Sequence, residues 1–131
     1  VTALAQAAGA CPLQLDPTRH DRLAAAISHT PYLASLATFA AANDVAQADA
    51  IAWRLAAGGF RSTTRLASSD DQMMIDILLS NRTAVLEQLD RLQGHLAHLA
   101  SLLTNGDDTR LRELAAAARA ERSQFLETYG G

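Results

Sequence analysis

The sequence predicts an all-α fold, a helical bundle with one long helix, and three observations carry that expectation. Apolar residues recur at spacings of three and four through most of the chain, which is the period of a helix face. Stop signals at Gly9, Asn43, Gly58–Gly59 and "TNGDD" cut the pattern into segments of helical length. Only one short stretch alternates as a strand would. With 131 residues, 49% of them apolar and 19% charged, the chain is one domain's worth of globular protein.

Taken in order, "VTALAQAAGA" is a short Ala-rich helix ended by Gly9, and "CPLQLD" is a candidate for a brief strand. "DPTRHD" starts the next helix, with Asp16 or Thr18 as cap and Pro17 in the first turn. It is expected to run about six turns, to a stop near Asn43, with a kink at Pro31. "DVAQADAIAWRLAAGG" follows as a helix closed by Gly58 and Gly59. Beyond them Ile75, Leu78, Arg82, Val85, Leu89, Leu92, Leu96, Leu99 and Leu103 step by three and four alternately. That seam predicts a helix of about 35 residues and about 50 Å, too long to be covered by its own neighbours. "TNGDD" breaks it, and "TRLRELAAAARAERSQFLETYGG" is a last amphipathic helix.

Charge and composition narrow the function. A net charge of -3, with eleven dispersed Arg and no Lys, argues against nucleic acid. No apolar run reaches the length of a membrane span, so no membrane partner and a cytoplasmic location are expected. The single Cys11 excludes an internal disulfide and reads as a small buried apolar residue.

Three features have chemical potential. In "SHTPY", Pro31 opens backbone groups beside Ser28, His29 and Tyr32. Ser28 and Tyr32 share a helix face and His29 sits about 100° round from Ser28; the competing reading is an ordinary kink with a surface His. In "AGGFRSTTRLASSDD", the glycines permit close backbone approach, and Arg61 or Arg65 can clamp a carboxylate in bidentate fashion. Pairing with Asp70, Asp71 or Asp76 is the competing reading there. His95 and His98, three apart, could meet one metal but have no further ligand at helical spacing, so a solvated face is favoured and no metal is expected.

"HDRLAAAISHTPYLAS" followed by "AGGFRSTTRLASSDDQMMIDILLSN" resembles the C-terminal helical domain of prephenate and arogenate dehydrogenases of tyrosine biosynthesis. The family pattern has a His-Asp start, Ser-His-Leu-Pro-His, then Gly-Gly-Phe-Arg/Lys-Asp-Phe-Thr-Arg-Ile-Ala and Ser-Asp-Pro. Here Tyr32 stands where a second His is common, Ser62 where Asp is, Asp71 where Pro is and Met74 where Trp is.

The resemblance implies a dimeric fold like the C-terminal domain of 6-phosphogluconate dehydrogenase. Residues 1–17 would be the end of a nucleotide-binding domain and residues 18–131 a dimerisation and substrate-binding domain. It also implies Ser28, His29 and Tyr32 at the substrate cleft, Arg65 on a substrate carboxylate, and Gly58 on a loop that reaches a cleft, that of a homodimer partner included. The substrate would be a small dicarboxylate or amino acid, prephenate or arogenate, with NAD or NADP as cofactor in the intact enzyme and none held by this chain. No Gly-x-Gly-x-x-Gly turn occurs, and the family's proton-accepting His belongs to the nucleotide-binding domain. No catalytic residue is therefore assigned here. A stand-alone helical interaction module is the first alternative, and a compact helical mutase acting on a dicarboxylate the second.

Overall fold

Residues 1–130 are described by a computed structural model, and every regular element among them is helical, as the periodicity predicts. Helix α1 spans Thr2–Ala7 and closes at Gly9, whose φ of +79° is the left-handed conformation expected of that stop. Residues 10–16 form no regular element. The strand expected in "CPLQLD" is absent because no second strand among the described residues offers a ladder to pair with. Cys11, expected to be buried, lies exposed on this segment.

Asp16 caps α2 (Pro17–Ala24) by accepting the Arg19 backbone N–H at 3.0 Å, with Pro17 opening the helix. Ala25–His29 then form a π-helical turn that feeds directly into α3 (Thr30–Ala48). Pro31 has no N–H and its ring crowds the preceding turn, so a turn widened by one residue relieves it. Thr30 donates both its backbone N–H and its hydroxyl, the latter at 2.8 Å, to the carbonyl of Ala25. Helix α3 does not stop near Asn43 but runs to Ala48. Instead of competing for the backbone, the Asn43 side-chain Oδ1 accepts from Gln47 Nε2 at 3.4 Å, one helical turn on.

A single turn, α4 (Ala52–Leu55), precedes the glycine pair. Gly58 and Gly59 do not end a helix; they begin α5 (Gly58–Thr63), after an extended Ala57, and neither has positive φ. A 3₁₀ turn, Arg65–Ser68, leads to α6 (Asp71–Ser80), which Asp70 caps through the Met73 N–H at 2.8 Å. The continuous rod expected from Ile75 to Leu103 is broken at Asn81 (φ -110°, ψ 28°), and α7 covers Arg82–Thr104, 23 residues and so about 35 Å. Gly106, at φ +63°, turns the chain, and Asp107 caps α8 (Asp108–Tyr129) by accepting from Arg110 N at 3.1 Å.

The chain forms two compact units, Val1–Leu89 and the residues from Asp90 onward. In the first, α3 packs against the π-helical turn, the 3₁₀ turn and α4. Ala25, His29, Tyr32 and Ser35 mark its buried stripe, and Ala46, Thr64, Met74 and Val85 are buried as well. Phe39, Trp53 and Phe60 form an aromatic cluster with ring centroids 5.6 to 6.2 Å apart. In the second unit Leu102 is buried, whereas Leu96, Leu99, Leu103, Leu114, Phe125, Leu126 and Tyr129 are exposed. Among the described residues no helix is long and apolar enough to cross a membrane.

Candidate functional site

The π-helical turn decides how "SHTPY" is presented. One extra residue in the turn rotates His29 inward, so it is 8% exposed and lies with Tyr32, 6% exposed, on the buried stripe. Ser28 is left exposed, so the expected common face of Ser28 and Tyr32 does not form, and the reading of His29 as a surface His is also overturned. His29 Nδ1 lies 3.3 Å from Asn81 Nδ2, and that same amide nitrogen donates to the Asp21 carbonyl at 2.7 Å. Burial holds the His29 pKa below 6.5; the Asp21 carboxylate opposes that shift and His20 adds to it. His20 Nδ1 and Asp21 Oδ1 are themselves 3.0 Å apart.

A second set of contacts positions the arginines. Ser35, 1% exposed on α3, accepts the Ala67 N–H at 2.9 Å, and that N–H is shared with the Thr64 carbonyl at 3.1 Å. The Thr64 hydroxyl donates to the Phe60 carbonyl at 2.8 Å. These bonds tie the 3₁₀ turn carrying Arg65 to α3 and to the end of α5. Arg61 and Arg65, both exposed, line one cavity of about 550 Å³ with Leu36, Phe39, Phe60, Thr64, Ala67 and Ser68.

The ion pairs expected for these arginines do not form. Among the described residues the pairs are His20–Asp21, Arg110–Asp107 and Arg112–Asp108. The neighbouring carboxylates are engaged elsewhere: Asp70 caps α6, Asp71 accepts from the Gln72 N–H and Asp76 from Gln72 Nε2. A cavity with aromatic and aliphatic walls and two uncompensated guanidinium groups suits a cyclic or aromatic acid.

Gly58 begins α5 in open space. A Cβ on Gly58 or Gly59 would meet nothing within 4 Å, so the close approach expected of the pair is not made within the described chain. The arginine cavity is lined by none of Ser28, His29, Tyr32 or Gly58. His95 and His98 face a separate cavity of about 400 Å³ among Leu99, Leu111 and Leu114. No group of three or more metal-ligating side chains occurs among the described residues.

Two positioning residues escaped the sequence reading. Ser35, the last residue of the quoted "SHTPYLAS", follows Tyr32 by three positions, which was the available hint of a shared face. Asn81 sits in the polar stretch "SNRT", Ser80 to Thr83, between two apolar helical runs, a pattern that signals a helix end as readily as a seam defect.

Residues 16–117 match the family described as "Prephenate dehydrogenase, dimerization domain". The chain is 31% identical over 117 residues to the prephenate dehydrogenase of Lactococcus lactis subsp. cremoris, covering 89% of this chain and 33% of that protein. It is 35% identical over 78 residues to the prephenate dehydrogenase of Bacillus subtilis, covering 60% of this chain and 21% of that protein. The crystal structure of Synechocystis arogenate dehydrogenase superposes with a TM-score of 0.83 at 26% identity, over 94% of this chain and 45% of that one. The chain thus spans about a third or less of the curated relatives it matches.

Proposed function

For this chain, which belongs to the prephenate dehydrogenase dimerization-domain family, we propose the role of homodimerisation and substrate-binding domain in an NAD(P)-dependent prephenate or arogenate dehydrogenase of tyrosine biosynthesis. The observation that carries the substrate half of this reading is the cavity where Arg61 and Arg65 stand without carboxylate partners among the described residues. Arg65 receives a substrate carboxylate through its planar fork, and Arg61 adds positive charge beside it. Phe39 and Phe60 supply an apolar wall for a six-membered ring. Ser28, His29 and Tyr32 lie outside that cavity and, by the resemblance to the family pattern, contribute further polar contacts to the substrate, and the uncrowded Gly58 at the start of α5 is free to meet a partner subunit.

The dimer half of the reading rests on the second unit. Leu96, Leu99, Leu103 and Leu114 are between 40% and 68% exposed, and covering a Leu side chain contributes roughly 1.5 to 3 kcal/mol. A two-fold copy is the economical cover, because one apolar face then serves as its own complement.

In the intact enzyme the reaction is oxidative decarboxylation of a cyclohexadienyl acid to a 4-hydroxyphenyl product, driven by formation of the aromatic ring. The residues of this chain do not fit the nicotinamide cofactor. Gly58–Gly59 open a six-residue helix with no strand before it, unlike the strand–turn–helix cradle of a dinucleotide. This chain therefore binds and orients substrate, and by the family resemblance the proton acceptor belongs to the nucleotide-binding domain.

The discriminating experiment is a titration of the chain with prephenate and with arogenate, followed at the arginine side-chain N–H signals by nuclear magnetic resonance. A saturable shift at Arg65 is expected. A stand-alone interaction module would leave that signal unmoved while remaining dimeric.

A further inference from the structure

Asn81 interrupts two helices, and its side chain explains what the interruption achieves. Its backbone remains bonded on both sides, since Asn81 N donates to Ile77 O and its own carbonyl accepts from Val85 N, each at 3.1 Å. The side chain crosses sixty residues of sequence to α2 and the π-helical turn. A backbone carbonyl can only accept, so the amide group 2.7 Å from the Asp21 carbonyl must be the NH₂ end. That assignment settles the second contact. An amide nitrogen cannot accept, hence His29 Nδ1, 3.3 Å away, must be the unprotonated ring nitrogen.

The remaining ring atom follows by elimination. His29 Nε2 finds no hydrogen-bond partner among the described residues, yet no buried, unpaired side-chain polar atom occurs among them. Nε2 therefore keeps some solvent exposure even though the residue as a whole is buried.

We propose that Asn81 is a positioning residue that holds His29 as the neutral Nε2–H tautomer, so that the ring meets a ligand as a hydrogen-bond donor to oxygen and never as a base. The donor role rests on the reading of His29 as a substrate-contact residue given above; the tautomer assignment does not. Protonating Nδ1 would set an N–H against the Asn81 NH₂, which works in the same direction as burial. The ionisable groups acting on the ring are Asp21, which favours the imidazolium, and His20, which opposes it.

Long-range proton–nitrogen correlation spectra of the ¹⁵N-labelled chain test this directly. The expected result is a single Nε2–H tautomer for His29, with Nδ1 in the range of a hydrogen-bond acceptor. Asn81→Ala should abolish that preference and give the mixture of tautomers of a free imidazole. Asn81→Asp puts an acceptor at the same place, so Nδ1 should take up a proton and the His29 pKa rise by about one unit or more. An unchanged far-ultraviolet circular dichroism spectrum confirms that each variant is folded.

An Nδ1–H tautomer in the unaltered chain would overturn the assignment, as would an Asn81→Ala variant that keeps pure Nε2–H. If Asn81→Asp does not fold, the first two measurements still decide. None of these readouts requires substrate. A failed prephenate titration would count against the proposed function while leaving the role of Asn81 intact.

Discussion

The two units of the chain differ in the hydrogen bonds that hold them. In Val1–Leu89 the informative contacts are polar and long-range, such as Asn81 with Asp21 and His29 and Ser35 with Ala67, and they lock particular side chains in place. From Asp90 onward the hydrogen bonds are caps and one-turn helix contacts, and large apolar side chains face outward there as Ile75, Leu79 and Leu86 do in the first unit. Specific polar bonds fix the orientation of functional groups, whereas an exposed apolar face stores association energy that only a second surface releases. The proposed site thus lies where the long-range polar bonds are, and the proposed dimer face where they are absent.

The largest effect expected is one that breaks the second half of that comparison. Leu96→Glu places a charge on the exposed face of α7 in both copies of a dimer, with a loss of roughly 3 to 6 kcal/mol over the two sites. Light scattering across a concentration series should show association weakened by about two to four powers of ten, or loss of fold if the monomer is unstable. A parent chain that is monomeric at tens of micromolar, with a concentration-independent melting temperature, would refute the dimer.

Next comes the site itself. Arg65→Ala in the full-length enzyme should weaken substrate affinity by about 1.5 to 3 kcal/mol, read as a raised KM or Kd, with little change in melting temperature. Arg65→Lys should recover only part of the loss, because a point charge cannot reproduce the fork. A variant that melts earlier but binds normally would show Arg65 to be structural.

Ser35→Ala sharpens the comparison by testing a positioning bond alone. Its loss should cost about 1 kcal/mol in denaturant unfolding, since Ala67 N–H retains the Thr64 carbonyl and is not orphaned. The effect on substrate affinity should be smaller than that of Arg65→Ala but in the same direction.

The smallest effect is the pH dependence from His29. Its folded-state pKa lies below 6.5, so the unfolded chain takes up the proton first. The stability it contributes is complete above pH 6.5 and is lost as pH falls through the lowered folded value. His29→Gln should flatten that part of a stability profile measured by denaturant midpoint.

What was legible in the sequence was local chemistry. The Asp16 cap with Pro17, the stop at Gly9 and the break at "TNGDD" depend on bonds within a few residues, and each forms. The errors arose where distant contacts outweigh propensity. A seam drawn through Ile75 and Leu103 has no knowledge of the Asp21 carbonyl sixty residues upstream, which holds the side chain of the residue where the seam breaks. Gly58 and Gly59 read as a stop because glycine closes helices, but a helix start also tolerates it when φ stays negative. The burial of His29 was hidden because a 3.6-residue period places it one step round from where the π-helical turn puts it.

That turn also works as a phase adjuster between α2 and α3. One residue corresponds to about 100° of helix rotation, so deleting a single alanine from Ala25–His29 would let an ordinary helix run through while swinging α2 about its axis. The Asp21 carbonyl would turn away from Asn81, and the tautomer lock on His29 would open although neither side chain in it had been altered. The length of this segment, counted in single residues, is accordingly as much a part of the site's chemistry as the identity of its histidine.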